Sequence, residues 1–89
     1  MCRVALRAEW VGSLKEKRTA VKSVVSRVSN KFNVSIAEID NQDMHKDIAI
    51  GFACVTNEAR HAQSVIQNVL AFIERNTDAV VVDTEIEIL

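Results

Sequence analysis

Residues 2–8 alternate in polarity. Cys2, Val4, Leu6 and Ala8 form one set, and Arg3, Ala5 and Arg7 form the other. A period of two is the signature of a strand with unlike faces. Gly12 and Ser13 interrupt it, and the Ser13 hydroxyl is suited to accept a free backbone N–H at a helix start. From Leu14 onward the apolar positions are 14, 21, 24, 25, 28 and 32. At about 100° per residue these fall on one helical face. The first helix is predicted over residues 14–32, and Asn33, which tolerates the left-handed conformation, is predicted to end it.

The second strand is read at residues 34–39. Its alternation slips near Ala37–Glu38, which predicts a bulge or an edge there. Asp40, Asn41, Gln42 and Asp43 supply turn chemistry. A third strand over residues 48–55 places Ile48, Ile50, Phe52 and Cys54 on one face and Ala49, Gly51, Ala53 and Val55 on the other. Thr56 or Asn57 caps a second helix over residues 58–75, with a buried stripe of Ala59, Ala62, Ile66, Val69, Leu70 and Ile73. Arg75 and Asn76 suit its C-terminal end. In a fourth strand over residues 79–88, Val80, Val82, Thr84, Ile86 and Ile88 face one way; Val81, Asp83, Glu85 and Glu87 face the other.

The order β-α-β-β-α-β, with right-handed crossovers, predicts an α+β ferredoxin-like sandwich. Residues 1–89 then form one domain, with an antiparallel sheet in spatial order 4-1-3-2 and both helices on one face. On the opposite face Arg3 and Arg7 are expected beside Asp83, Glu85 and Glu87, since the first and fourth strands are neighbours. The middle of that face is Ala5, Ala49, Gly51, Ala53 and Val55, small and apolar where an exposed sheet face ordinarily carries longer polar side chains. This predicts that a second copy, a partner or the chain's own tail covers it.

Composition narrows the class. With 48% apolar and 26% charged residues the chain is not disordered. Its longest apolar run, residues 48–55, is far short of the ~20 residues of a membrane helix. The first residues lack the basic-then-apolar run of a secretory signal. Cys2 and Cys54 are too far apart in sequence for a metal or redox motif, so a cytoplasmic protein with reduced thiols is expected. Net charge is −1, but residues 1–33 carry eight cations against two carboxylates, and residues 34–89 carry three against ten. The basic excess concentrates at the start of the first helix, where Lys15, Lys17, Arg18 and Lys22 oppose only Glu16. Cations are unfavourable at that end of a helix dipole. Together with free backbone N–H groups they suit phosphate, a nucleic-acid backbone or an acidic protein. Lys15, Arg18 and Lys22, spaced i, i+3 and i+7, share one flank.

Other chemistries fit less well. Residues 50–55 resemble part of the RNA-recognition-motif signature on the third strand, but Ile50, Cys54 and Asn57 stand where a basic residue and two aromatics belong. Phe52 also has the parity of the core set, whereas base stacking needs aromatics on the open face. Trp10 lies at or past the end of the first strand. An acylphosphatase needs a glycine-rich phosphate cradle with arginine, and only Gly12 followed by Ser13, Leu14 and Lys15 is present. Glu38, Asp40, Asp43, His45 and Asp47 surround the second turn, but the glycine and final glutamate of a calcium loop are missing, so a solvated hairpin is expected and no metal. His61 beside Arg60 is read as a surface histidine. Cys2 and Cys54 lie on neighbouring strands, yet reduced thiols are expected.

The run Ser13-Leu14-Lys15-Glu16-Lys17-Arg18, followed by Phe32-Asn33-Val34-Ser35, Ala37-Glu38 and Gln42-Asp43, resembles the YlxP-like family of small bacterial proteins. Thr56-Asn57 and Phe72-Ile73-Glu74 extend the resemblance over nearly the whole chain. It implies a ferredoxin-like fold and no established activity, and the family's genes often lie near those of translation and ribosome maturation. Members usually start several residues earlier, and His45 stands where tryptophan is common. The combined expectation is a non-enzymatic binding module without cofactor, metal or membrane partner. Its basic helix start would meet RNA, the ribosome or an acidic protein. The alternative is a homo-oligomeric scaffold or regulatory protein joined through the open face.

Overall fold

The computed structural model describes residues 1–87. The elements are β1 (Cys2–Arg7), α1 (Leu14–Lys31), β2 (Ser35–Asp40), β3 (Asp47–Ala53), α2 (Ala59–Arg75) and β4 (Val80–Ile86). The strands form one sheet in the order β2-β3-β1-β4, with every neighbouring pair antiparallel. This is the ferredoxin-like α+β sandwich that the alternating and helical periods require. One sheet face is closed by the helices. Val4, Leu6, Ile48, Ile50 and Phe52 meet Val21, Val24 and Val28 of α1 and Ile66, Val69 and Ile73 of α2.

Five local features depart from the expectation. The β1–β4 register jumps from Ala5 opposite Asp83 to Leu6 opposite Val81, which leaves Val82 as an extra residue. Such a bulge resets the alternation. Val81 therefore shares the face of Leu6 and packs on the core, while Val80 joins the face of Arg7. Ile88, assigned to this strand by its parity, lies outside the described residues. In β2 the slip falls one step later than expected, between Glu38 and Asp40.

Asn33 does not end α1 in the left-handed region; the chain leaves the helix at Phe32 with extended φ −120°. Among the described residues the non-glycine residue with positive φ is Asn41, at 61°, in the β2–β3 turn. An amide side chain tolerates that region better than most. At α2 the N-cap is Glu58, without a side-chain cap bond, and the Thr56 hydroxyl accepts from the Glu58 N–H at 3.3 Å. Ala59 of the predicted stripe is exposed, and buried Phe72 takes its place in the core. The Phe72 ring meets Phe32 with centroids 5.5 Å apart, under the Lys31 ammonium.

Ser13 does cap α1. Its Oγ accepts from the Glu16 N–H at 3.1 Å, satisfying one of the otherwise free donors. Ser13→Ala should lower unfolding free energy by about 1 kcal/mol, read as a shifted urea midpoint at unchanged slope.

Candidate functional site

Lys17 was expected on the basic flank of α1, but it is fully buried. Its position on α1 explains this. Lys17, Val21, Val24 and Val28 are spaced i, i+4, i+7 and i+11, the inward stripe of the helix. Its Nζ lies 2.8 Å from Glu38 Oε2 and donates its hydrogen bond to the Asn41 carbonyl. Glu38 faces Ile50 across β2–β3, on the helix side of the sheet. The pair thus ties α1 to the end of β2 and to the turn in which Asn41 has its positive φ. Lys17 is unavailable to any external anion.

Lys15, Arg18 and Lys22 remain exposed on α1. Among the described residues they form no ion pair, whereas Arg3, Arg7 and Lys17 each do. Lys46 is occupied too, donating to the carbonyls of Glu9 at 2.6 Å and Val11 at 3.2 Å.

The open sheet face also differs from the expected layout. Arg3 stands opposite Glu85 in the register, yet its guanidinium reaches the other way to Asp40, 3.2 Å away. Ala49 on intervening β3, opposite Asp40, has little bulk to block that path. Arg7 pairs with Asp47, directly opposite on β3, at 2.8 Å and with Glu9 at 2.6 Å. The β4 carboxylates therefore do not neutralise these arginines. Asp40 is held below the usual carboxylate range by the Asn41 N–H first and Arg3 second, and Glu9 by Arg7. Both contributions are complete above the unfolded carboxylate pKa and fade as pH falls through the lowered folded values.

Of the proposed interface residues, Ala49 and Gly51 are buried by the chain's own side chains. Ile39, the extra residue of the β2 bulge, packs so closely on Gly51 that an added Cβ would lie 3.0 Å from its methyls. Ala5 is half-buried, while Ala53 and Val55 are exposed. The surface over Gly51 is therefore the side chain of Ile39, itself 41% exposed.

A feature that strand parity did not reveal lies in the β1–α1 loop. Trp10 is 49% exposed, while its neighbour Val11 is fully buried. The loop is held on both sides of the indole. The Lys46 ammonium binds the carbonyls of Glu9 and Val11, and the Ala8 N–H donates to the Lys46 carbonyl at 2.8 Å. Trp10 borders two shallow cavities of about 470 and 360 Å³ that share Ala20 and Ser23 of α1 as walls. The first extends to Lys15 and Thr19, and the second to Arg27 and Arg75. The sequence signal for this groove is the row Lys15, Thr19, Ser23 and Arg27, each one turn from the next, with short side chains between two cations.

Other candidates stay apart. His45 and His61 are exposed, and the described residues contain no group of three or more His, Cys, Asp or Glu side chains able to hold a metal. Cys2 and Cys54 are free, and burial pushes the Cys2 thiol up. Among the described residues no helix is long and apolar enough to cross a membrane.

The architecture and the exposed cationic flank together define a small ferredoxin-like α+β domain with one basic helix face. Within that class the chain belongs to the family described as "Protein of unknown function (DUF503)", whose family model matches residues 1–86. It is similar to the "Uncharacterized protein YlxP" of Bacillus subtilis (strain 168), with 48% identity over 63 residues, 71% of this chain and 68% of that protein. The resemblance carried by Ser13–Arg18 and Phe32–Ser35 is thereby shown to be one of family.

Proposed function

We propose that this protein is a non-enzymatic cytoplasmic binding module that engages RNA through Lys15, Arg18 and Lys22. One observation carries the reading. These three cations share an exposed flank without an ion-pair partner among the described residues, while four other cations of the chain are committed internally. Unpaired like charges on one helical flank repel each other. An external polyanion removes that repulsion and gains by releasing its own counterions. The free N–H groups of the α1 first turn add to the attraction.

The test is binding to a blunt-ended RNA duplex over a salt series, for wild type and the K15A/R18A/K22A variant. Wild-type affinity should fall steeply with salt. The triple variant should bind more weakly, with a log–log salt slope shallower by about 3, one for each phosphate that is no longer neutralised. Equal affinity of the two proteins at every salt concentration overturns the proposal.

A further inference from the structure

We propose that the groove around Trp10 takes an unpaired base of single-stranded RNA, stacked on the indole, while neighbouring phosphates lie on Lys15, Arg18 and Lys22. This rests on the reading of α1 as an RNA-binding flank and specifies which form of RNA it meets.

Three observations carry it. The first is that a large aromatic ring stands half in water on a loop that is firmly held. Lys46 fixes the carbonyls on both sides of Trp10, and the adjacent Val11 is buried. The backbone on both sides of the indole is thus held before any ligand arrives, which reduces the ordering cost of binding.

The second is the space beside the ring. Ala20 and Ser23 are short, and the cavities extend from Trp10 in both directions along α1. From Lys15 to Arg27 the helix rises about 18 Å. A planar ligand can enter without displacing a side chain of the core.

The third is the charge. Lys15 stands at one end of the groove, and Arg27 and Arg75 at the other. Among the described residues none of the three is ion-paired. Glu16 and Asp78 share these walls and oppose phosphate, so the groove itself has a charge of only +1. Its distinguishing property is therefore the π face. The stronger phosphate attraction lies on the adjacent flank, and Lys15 belongs to both. Single strands are held by this combination, a stacking ring beside a cationic track. A duplex keeps its bases stacked and offers only its backbone. An acidic peptide would use the cations and leave the indole idle.

Trp10 is the single tryptophan of the chain, so its emission reports on the groove alone. Wild type, W10A and K15A/R18A/K22A are titrated with a single-stranded RNA dodecamer, the blunt-ended duplex used above, and polyglutamate. Single-stranded RNA is expected to quench wild-type emission in step with binding. W10A should bind the single strand about 5- to 150-fold more weakly, as loss of one stacked base implies, while its duplex affinity is unchanged. Wild type that binds the duplex, but whose emission is untouched by saturating single-stranded RNA, overturns this inference and leaves the phosphate flank standing. Equal quenching by polyglutamate overturns it in favour of an acidic protein. Wild type that binds neither RNA overturns both readings. The wild-type emission decides the matter even if W10A folds poorly.

Discussion

Lys17→Ala is expected to destabilise the protein by about 3–5 kcal/mol, because it leaves the Glu38 carboxylate on the helix side of the sheet without its counter-ion. Glu38 has little solvent to fall back on, since its side chain is 17% exposed and Lys17 is fully buried. The same change takes a hydrogen bond from the Asn41 carbonyl, although that oxygen keeps the Met44 N–H at 3.0 Å. A single domain of ordinary stability holds about 5–15 kcal/mol in total, so the loss would be a large fraction of it. Urea unfolding followed by circular dichroism measures it. The pair is expected to behave differently when both partners go. Lys17→Met with Glu38→Leu removes two desolvated charges together, and such replacements are often neutral or stabilising. A single Lys17→Ala variant within 1 kcal/mol of wild type would show that water or a rearranged carboxylate already compensates Glu38. Lys17→Met alone separates the charge from the packing, since it refills the buried site and only the charge explanation predicts that it stays destabilised until Glu38→Leu is added.

This pair also shows how far the chain could be read before its fold was known. Periodicity located every element, because the core strands and both helices bury one face each and the apolar positions repeat accordingly. Lys17 was legible in the same way, as the first member of the Val21, Val24 and Val28 stripe. A lysine on an apolar stripe is ambiguous, however, until a carboxylate is placed against it. Glu38 reaches that place only through the pairing of β2 with β3, which joins segments distant in sequence. The arginines of β1 pose the same difficulty. Their register neighbours on β4 are acidic, and adjacency alone favours them. What decides is the pairing of β2 with β3, which sets Asp40 opposite the small Ala49 and within reach of Arg3. The β4 bulge at Val82 is a further example. Nothing in the alternating Val80–Ile86 pattern marks it, since valine is compatible with either face. Trp10 belonged to no periodic segment at all. Its exposure follows from how Lys46 and Val11 hold the loop, again through interactions between distant parts of the chain.

Phe52→Ala is expected to lower stability by about 3–5 kcal/mol, the usual range for emptying a buried phenylalanine site. Phe52 is 2% exposed, and in the register it stands between Cys2 of β1 and Ile36 of β2. It therefore lies on an inner strand, on the face that the helices cover. Small domains of this size shift by about 4–8 °C per kcal/mol, so the melting temperature should fall by at least about 12 °C. Phe52→Leu keeps most of the volume and should cost less than about 1.5 kcal/mol. The contrast between these variants and Trp10→Ala carries functional information. If the chain met RNA as a sheet-face binder of the recognition-motif kind, Phe52 would be the stacking ring. Phe52→Leu would then abolish binding at little cost in stability. With Phe52 turned toward the helices, the opposite is expected: folded Phe52→Leu binds single-stranded RNA like wild type, and Trp10→Ala does not. Loss of binding in a fully folded Phe52→Leu protein would return the interface to the sheet, which the burial of that ring argues against.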